Sequence, residues 1–457
     1  MKKAETWVPT NQDVSTAITD AGGVGQSGPI HFQLNPYSSP QQETFFPAME
    51  RLGISRTDDF LNGKLLGFMR HTSNILNTNR TRSYSPSYLA GAGPNLNILL
   101  NTTVKKVNID SRHRLAKGIT LMDGTVINAK REVLLCAGAF QSPQLLELSG
   151  IGNSSILKAA GIEPKVDLPS VGENLQDHVR IVTAYQLKDG YTSTDKLRFD
   201  ATFAAQQLAL YHDNRTSIYD ATSSAYAYLT WPMSMANQSY LVDLARRAAD
   251  LGSTIDLCKL RKLEQVEALE VPQLEVLFND GYLGNKGYPA PGSNLYGRQF
   301  VSIIASLNHL FSRGNVHLNA SDPEGPPLLD PRYLSNAYDL RAVVEGAKFT
   351  RRIAQTLPLS GILLDEYEPG LNVTTDEDWI NYVKDNALSI WHPMGTCAML
   401  PKCDGGVVDP ELRVYGLRNL RVADASIMPI LISGHIQTAV YGIAEHAAMI
   451  VAKAWAL

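Results

Sequence analysis

The chain has 457 residues, enough for two or three domains, and its 44% hydrophobic and 19% charged content is that of an ordinary globular protein. A formal net charge of -4, with Lys and Arg scattered along the chain, leaves no electrostatic footprint for nucleic acid or an anionic membrane. Four cysteines are too few for a disulfide scaffold of this length, and no Cys/His spacing suits a structural metal; only Cys397 and Cys403 lie close enough in sequence to bridge.

Taken in chain order, the opening MKKAETWVPTNQD lacks the apolar core of a signal peptide. The glycine-rich AGGVGQSG (21–28) has no apolar strand before it and no helix-forming run after it, so it reads as a loop. LNILLNTTVKKVNID (96–110) is expected to form strand. KGITLMDGTVINAK alternates apolar residues about Asp123-Gly124, a hairpin signal. REVLLCAGAF carries a continuous apolar run, Val133 to Ala139, that predicts a strand buried on both faces, as in a parallel sheet. A short helix should follow, with Ser142 as N-cap, Pro143 at its first position, and Gly150 and Gly152 closing it.

The stretch from about 180 to 386 mixes helical patterns (VDLARRAADLG, DLRAVVEGAKFTRRIAQTL) with strands (QLEVLFND, QFVSIIASLNHLF, GNVHLN), the last two expected as antiparallel neighbours. An α/β pattern then returns: NLRVADASIMP predicts a buried strand, Leu420 to Ala423, and a long apolar helix begins near His435. No run of about 18 uninterrupted apolar residues exists, so no membrane-spanning segment is expected. Seven Asn-x-Ser/Thr sequons (Asn79, Asn101, Asn153, Asn214, Asn237, Asn319, Asn372) stand where chance would supply roughly half as many, which points to a secreted glycoprotein.

Four stretches carry candidate chemistry. The small residues Ala137, Gly138 and Ala139 end a strand where open α/β sheets bind ligands, or simply make a tight turn. Asp424 also ends a strand, where a carboxylate accepts a ribose or ribityl hydroxyl or caps the next turn. His435 precedes a helix whose first backbone N–H groups are unpaired and carry partial positive charge; it either borders an anion-stabilising site or is a buried cap. In LSIWHPMGTCAML, Pro393 restricts His392 to extended backbone, Trp391 offers a flat apolar wall and Gly395 a turn. Two histidines on separately constrained backbones beside two ligand-friendly strand ends suit proton removal next to an electron-accepting cofactor.

GAFQSPQLLELSGIG, VGENLQDH, WHPMGTCAM, NLRVADASIMP and SGHIQTAVYGIAEHAA occur in the order seen in glucose–methanol–choline (GMC) flavin oxidoreductases, and the chain resembles that family over nearly its whole length. It looks most similar to the secreted fungal aryl-alcohol oxidase and glucose oxidase branch. The resemblance implies an α/β fold. A Rossmann-like FAD-binding domain would comprise 88–184 and 395–457, and an α+β substrate domain with an antiparallel sheet 1–87 and 185–394. It further implies FAD, a small aromatic or secondary-metabolite alcohol as partner, and hydride transfer to flavin N5 with His392 as base and His435 opposite. By the same resemblance Asp424, Ala425, Ile436, Gln437 and the strand at Val104 contact FAD, and Trp391 contacts substrate. The family's G-x-G-x-x-G turn was not found, and KKAETWVP resembles an interior segment. The chain is therefore expected to lack the family's first βαβ unit, about a hundred residues. A non-redox cyclase of the same fold, or a chain that holds no flavin, are the alternatives.

Overall fold

The computed structural model describes residues 1–9, 23–35, 37–76, 78–223, 225–235, 237–264 and 269–456. Its largest element is an antiparallel sheet of six strands. Ala225–Leu229, Leu274–Asn279, Phe300–Leu307, Val179–Leu187 and Leu363–Glu368 lie side by side in that order, and the short Leu388–Ser389 pairs with Val179 and Arg180.

Both faces of this sheet are covered, so its strands read as apolar runs rather than alternating ones. The period-2 geometry of a strand still sorts them. Ile181, Val276 and Ile303 enter the larger core, shared with Ala342, Val343 and Ala347 of the helix Ala337–Ala354. Their neighbours Val182, Leu277 and Ile304 enter a smaller core with Trp7, Phe32 and Met69. Register agrees across the strands, with Val182 and Leu277 both opposite Ile304.

A separate core joins Val107, Leu135 and Leu146 to Val407, Leu420 and Val422. It lies under the meander Val104–Asp110, Leu115–Leu121, Val126–Asn128, whose second hairpin turns at Asp123-Gly124 as expected; Asp123 accepts the Thr125 N–H at 2.9 Å. Val133–Leu135 pairs in parallel with Leu420–Val422. The fold is thus mixed α/β, with the expected antiparallel sheet. Among the described residues no helix is long and apolar enough to cross a membrane.

Several expectations need correction. Phe300–Leu307 and Gly314–His317 are not neighbours: the latter pairs with Glu173–Leu175 and Leu328–Asp330 in another sheet. The chain leaves the large sheet at Asn308, whose N–H bonds the Gln273 carbonyl at 2.9 Å. The strand expected from Leu96 begins only at Val104. Leu134 is 42% exposed rather than buried on both faces, because its parallel sheet has two strands among the described residues. The helix runs Gly138–Leu148, placing Ser142 and Pro143 inside it. Cys397 and Cys403 are free, the first buried and the second exposed. Strand Val179–Leu187 runs unbroken across the expected domain boundary at 184/185.

Candidate active site

His392 hangs from the VGENLQDH stretch rather than from either sheet core. Gln176 and Met394 exchange backbone hydrogen bonds (3.0 and 2.9 Å), and the His178 carbonyl accepts the Ile390 N–H at 3.1 Å. Asp177 completes the clamp: its Oδ1 accepts the His392 backbone N–H at 2.9 Å, and its Oδ2 accepts Tyr333 Oη–H at 2.6 Å and the Ser389 hydroxyl. Gly395 has φ +94°, and a Cβ there would meet the Asn174 carbonyl at 2.5 Å, so only glycine fits this turn. The histidine's side chain meets His178, Nδ1 to Nδ1, at 2.9 Å.

His435 approaches from the opposite side, one residue before Ile436, the N-cap of the helix Gln437–Trp455. The His392 and His435 ring centroids are 4.8 Å apart. Two residues earlier, Ser433 donates to the Pro272 carbonyl at 2.9 Å and lies 2.8 Å from His309 Nε2. The structure thus brings together the two histidines that were singled out separately in the sequence.

Three further side chains close to the pair were not singled out by sequence. Glu275 is fully buried on the interior strand Leu274–Asn279, with Oε1 3.0 Å from His435 Nε2 and 2.8 Å from Tyr228 Oη. The His435–Glu275 contact is close but poorly aligned for a hydrogen bond, so its attraction is mainly Coulombic. His178 is the second, buried beneath His392. His71 is the third: its ring stacks on Tyr226 at 4.3 Å and lies 6.2 Å from His435. A glutamate amid apolar strand residues was the available signal for Glu275, since buried carboxylates are retained only with partners.

The electrostatics of the pair are opposed. Burial, reinforced by His178 and His435, lowers the His392 pKa to about 3, so this imidazole is neutral. Burial also pulls on His435, but the charge and contact of Glu275 outweigh it and raise the pKa above its ordinary value. Burial pushes Glu275 upward, yet His435 and the Tyr228 hydroxyl overcome that and hold it at about 2. Neighbouring groups of one chemical type whose pKa values are pushed in opposite directions are the pattern of an acid–base site.

The other candidates divide. Asp424 Oδ2 accepts the Gly138 N–H at 3.0 Å and the Ser142 hydroxyl at 2.5 Å, and Oδ1 accepts the Ser426 N–H at 2.8 Å. It therefore caps its own turn and also holds the first N–H of helix Gly138–Leu148, which explains why Ser142 need not be the N-cap. The Ala425 carbonyl accepts the Gly395 N–H at 3.3 Å, and Val104 opens the strand Val104–Asp110. Trp391 is 74% exposed; its ring face is taken by the Arg180 guanidinium at 5.2 Å, and it joins neither histidine ring.

The flavin expected from the resemblance fits the residues on this face. The helix at Gln437 has no side-chain cap, its first two residues are exposed, and the space beside Gly138 is open. Its unpaired N–H groups favour a ligand that gains negative charge. The glycine-rich 23–28 stretch does not offer a phosphate cradle: a Cβ on Gly25 would strike the Lys2 and Glu5 carbonyls, and one on Gly28 the backbone of Ala4 and Glu5. These glycines serve close chain packing, and residues 21 and 22 lie outside the described residues.

Residues 1–180 match the N-terminal part, and 311–444 the C-terminal part, of the GMC oxidoreductase family. The GMC oxidoreductase family protein Mala s 12 of Malassezia sympodialis is 33% identical over 99% of this chain and 72% of its own length. An FAD-dependent oxidoreductase from Chaetomium thermophilum superposes with a TM-score of 0.87 at 26% identity, covering 100% of this chain and 80% of that one. A fungal aryl-alcohol oxidase gives 0.82 at 26% identity, with 100% and 78% covered. The chain belongs to the GMC oxidoreductases, a family of FAD-dependent oxidoreductases.

Proposed function

We propose that this protein oxidises the CH–OH group of a small alcohol, aromatic or a secondary metabolite, with His392 as the base. The observation that carries the reading is the asymmetric histidine pair 4.8 Å apart, in which burial favours the neutral form of His392 and Glu275 favours the protonated form of His435. An alcohol proton is too weakly acidic to leave unaided near neutral pH, and a neutral imidazole within reach accepts it. FAD, when bound, supplies the acceptor for the hydride from the same carbon. His435, whose protonated form Glu275 favours, donates to the oxygen as negative charge gathers there, and the bare N–H groups near Ile436 and Gln437 favour negative charge beside them. Asp424, Ala425 and the strand at Val104 hold the cofactor in this reading, and Trp391 lies at the mouth of the site. The likeness to an aryl-alcohol oxidase supports the choice of substrate class.

The test is an anaerobic absorbance scan of the protein incubated with FAD, before and after benzyl alcohol is added. Flavin bands that bleach are expected. His392→Ala should keep its flavin content and lose roughly 10²–10⁴-fold in reduction rate, the usual worth of a positioned base. Protein that takes up no flavin, or an H392A variant reduced at the original rate, would overturn the reading.

A further inference from the structure

The base in this reading has two ring nitrogens, and only one can take the substrate's proton. His178 is fully buried, with Nε2 3.0 Å from the Ile432 carbonyl oxygen and Nδ1 2.9 Å from His392 Nδ1. A carbonyl oxygen only accepts, so His178 Nε2 carries a hydrogen. Burial lowers the His178 pKa despite nearby Glu275 and Asp177, so the ring is neutral and has no second proton. Its Nδ1 is therefore a lone pair, and the contact with His392 needs a donor from the other side. His392 Nδ1 supplies it. Since His392 is itself neutral, its Nε2 is then bare.

We infer that His178 is a positioning residue that fixes the tautomer of His392, donating through Nε2 to the Ile432 carbonyl and accepting His392 Nδ1–H, so that His392 Nε2 is the nitrogen that takes the alcohol proton. The inference rests on His392 being the base, but the tautomer itself is a property of the protein alone. The two rings meet edge to face, at 85° with centroids 5.2 Å apart, so the contact also sets the plane of the His392 ring. When Nε2 gains a proton, the Nδ1–H···Nδ1 bond becomes charge-assisted and strengthens, which stabilises the protonated base as it forms. His178 and Asp177 are adjacent in sequence and act on one target: Asp177 holds the His392 main chain and His178 its side chain.

Two substitutions separate this role from packing. His178→Gln keeps a carbonyl acceptor and an N–H donor, whereas His178→Leu keeps bulk and has neither. Long-range ¹H–¹⁵N correlation spectra of ¹⁵N-histidine-labelled protein read the tautomer directly, with the His392 signals assigned by their loss in His392→Ala. The expected result is a hydrogen on Nδ1 of His392 in the wild type and in H178Q, and a shift toward Nε2–H in H178L. With benzyl alcohol, kcat of H178L should fall roughly 10–100-fold at a KM within about threefold, and H178Q should recover most of it. An Nε2–H His392 in the wild-type spectrum overturns the inference without any variant having to fold. Unchanged tautomer and kcat in H178L overturn it as well. Loss of the base assignment itself would appear separately, as undiminished reduction in His392→Ala.

Discussion

The raised pKa of His435 comes from a residue 160 positions away in sequence, and that dependence has a sign. Its pKa is raised because Glu275 outweighs burial, so it stays protonated above its ordinary range and loses the proton only as pH rises through that raised value. Activity that needs the cation therefore falls on the alkaline side. Glu275→Gln removes what raises the pKa and leaves the burial that lowers it. The alkaline limb of kcat/KM should move to lower pH, below about 6.5, with the rate near neutrality down roughly tenfold or more. A pH–rate profile checks this, and an unmoved limb would count against a role for the charged form. The two histidines were legible in the sequence because each sits beside a residue with a fixed backbone role, Pro393 or the helix at Gln437. Glu275, His71 and His178 were not, because their nearness to the pair depends on how distant segments come together, and that is not written locally.

At the level of elements, Pro143 shows how one apparent defect ties two segments together. Inside the helix Gly138–Leu148 it has no N–H to offer the carbonyl four residues back, that of Ala139. That oxygen is instead taken by the hydroxyl of the fully buried Thr396, at 2.6 Å, four residues beyond His392. Thr396→Val should cost about 1–3 kcal/mol, the penalty for leaving a buried carbonyl unpaired. Pro143→Ala returns a donor to the same carbonyl, so Thr396→Val in that background should cost clearly less. Denaturant melts of the four proteins in the cycle measure the difference, and strictly additive losses would exclude the coupling. Sequence signals located this helix but misplaced its start by five residues, since its first N–H is held by Asp424 from a different strand end. The mispaired Phe300–Leu307 and Gly314–His317 are the same lesson: adjacency in sequence with strong β patterns does not make a hairpin when the connecting residues, Asn308 and His309, are committed elsewhere.

For the whole molecule, the large sheet with both faces covered was legible as a separate antiparallel unit, since its strands are long and apolar. The smaller parallel part was overestimated, because one apolar strand looks the same whether its cover is present or not. Ile98, Leu99 and Leu100 stand 53%, 62% and 78% exposed ahead of the strand at Val104, and the single sequence carries no signal for that. The sequons make a prediction at this scale. All seven asparagines are exposed or partly exposed, and at Asn79, Asn237 and Asn319 the side-chain oxygen accepts the hydroxyl two residues on, at 2.7 Å. Expressed through a fungal secretory route, the protein should lose mass on endoglycosidase treatment; no shift would argue against the secreted assignment.

The turn Ile432–Gly434 has a bearing on how far this sequence can drift. Its Ile432 carbonyl receives His178, its Ser433 hydroxyl reaches Pro272, and its end delivers His435 to Glu275. An insertion or deletion of a single residue there would disconnect both sides of the histidine pair at once, and the side chains are constrained as well, since Ile432 packs on the larger core and Gly434 holds φ +146°. Lineages descended from this chain should therefore hold the length of that turn.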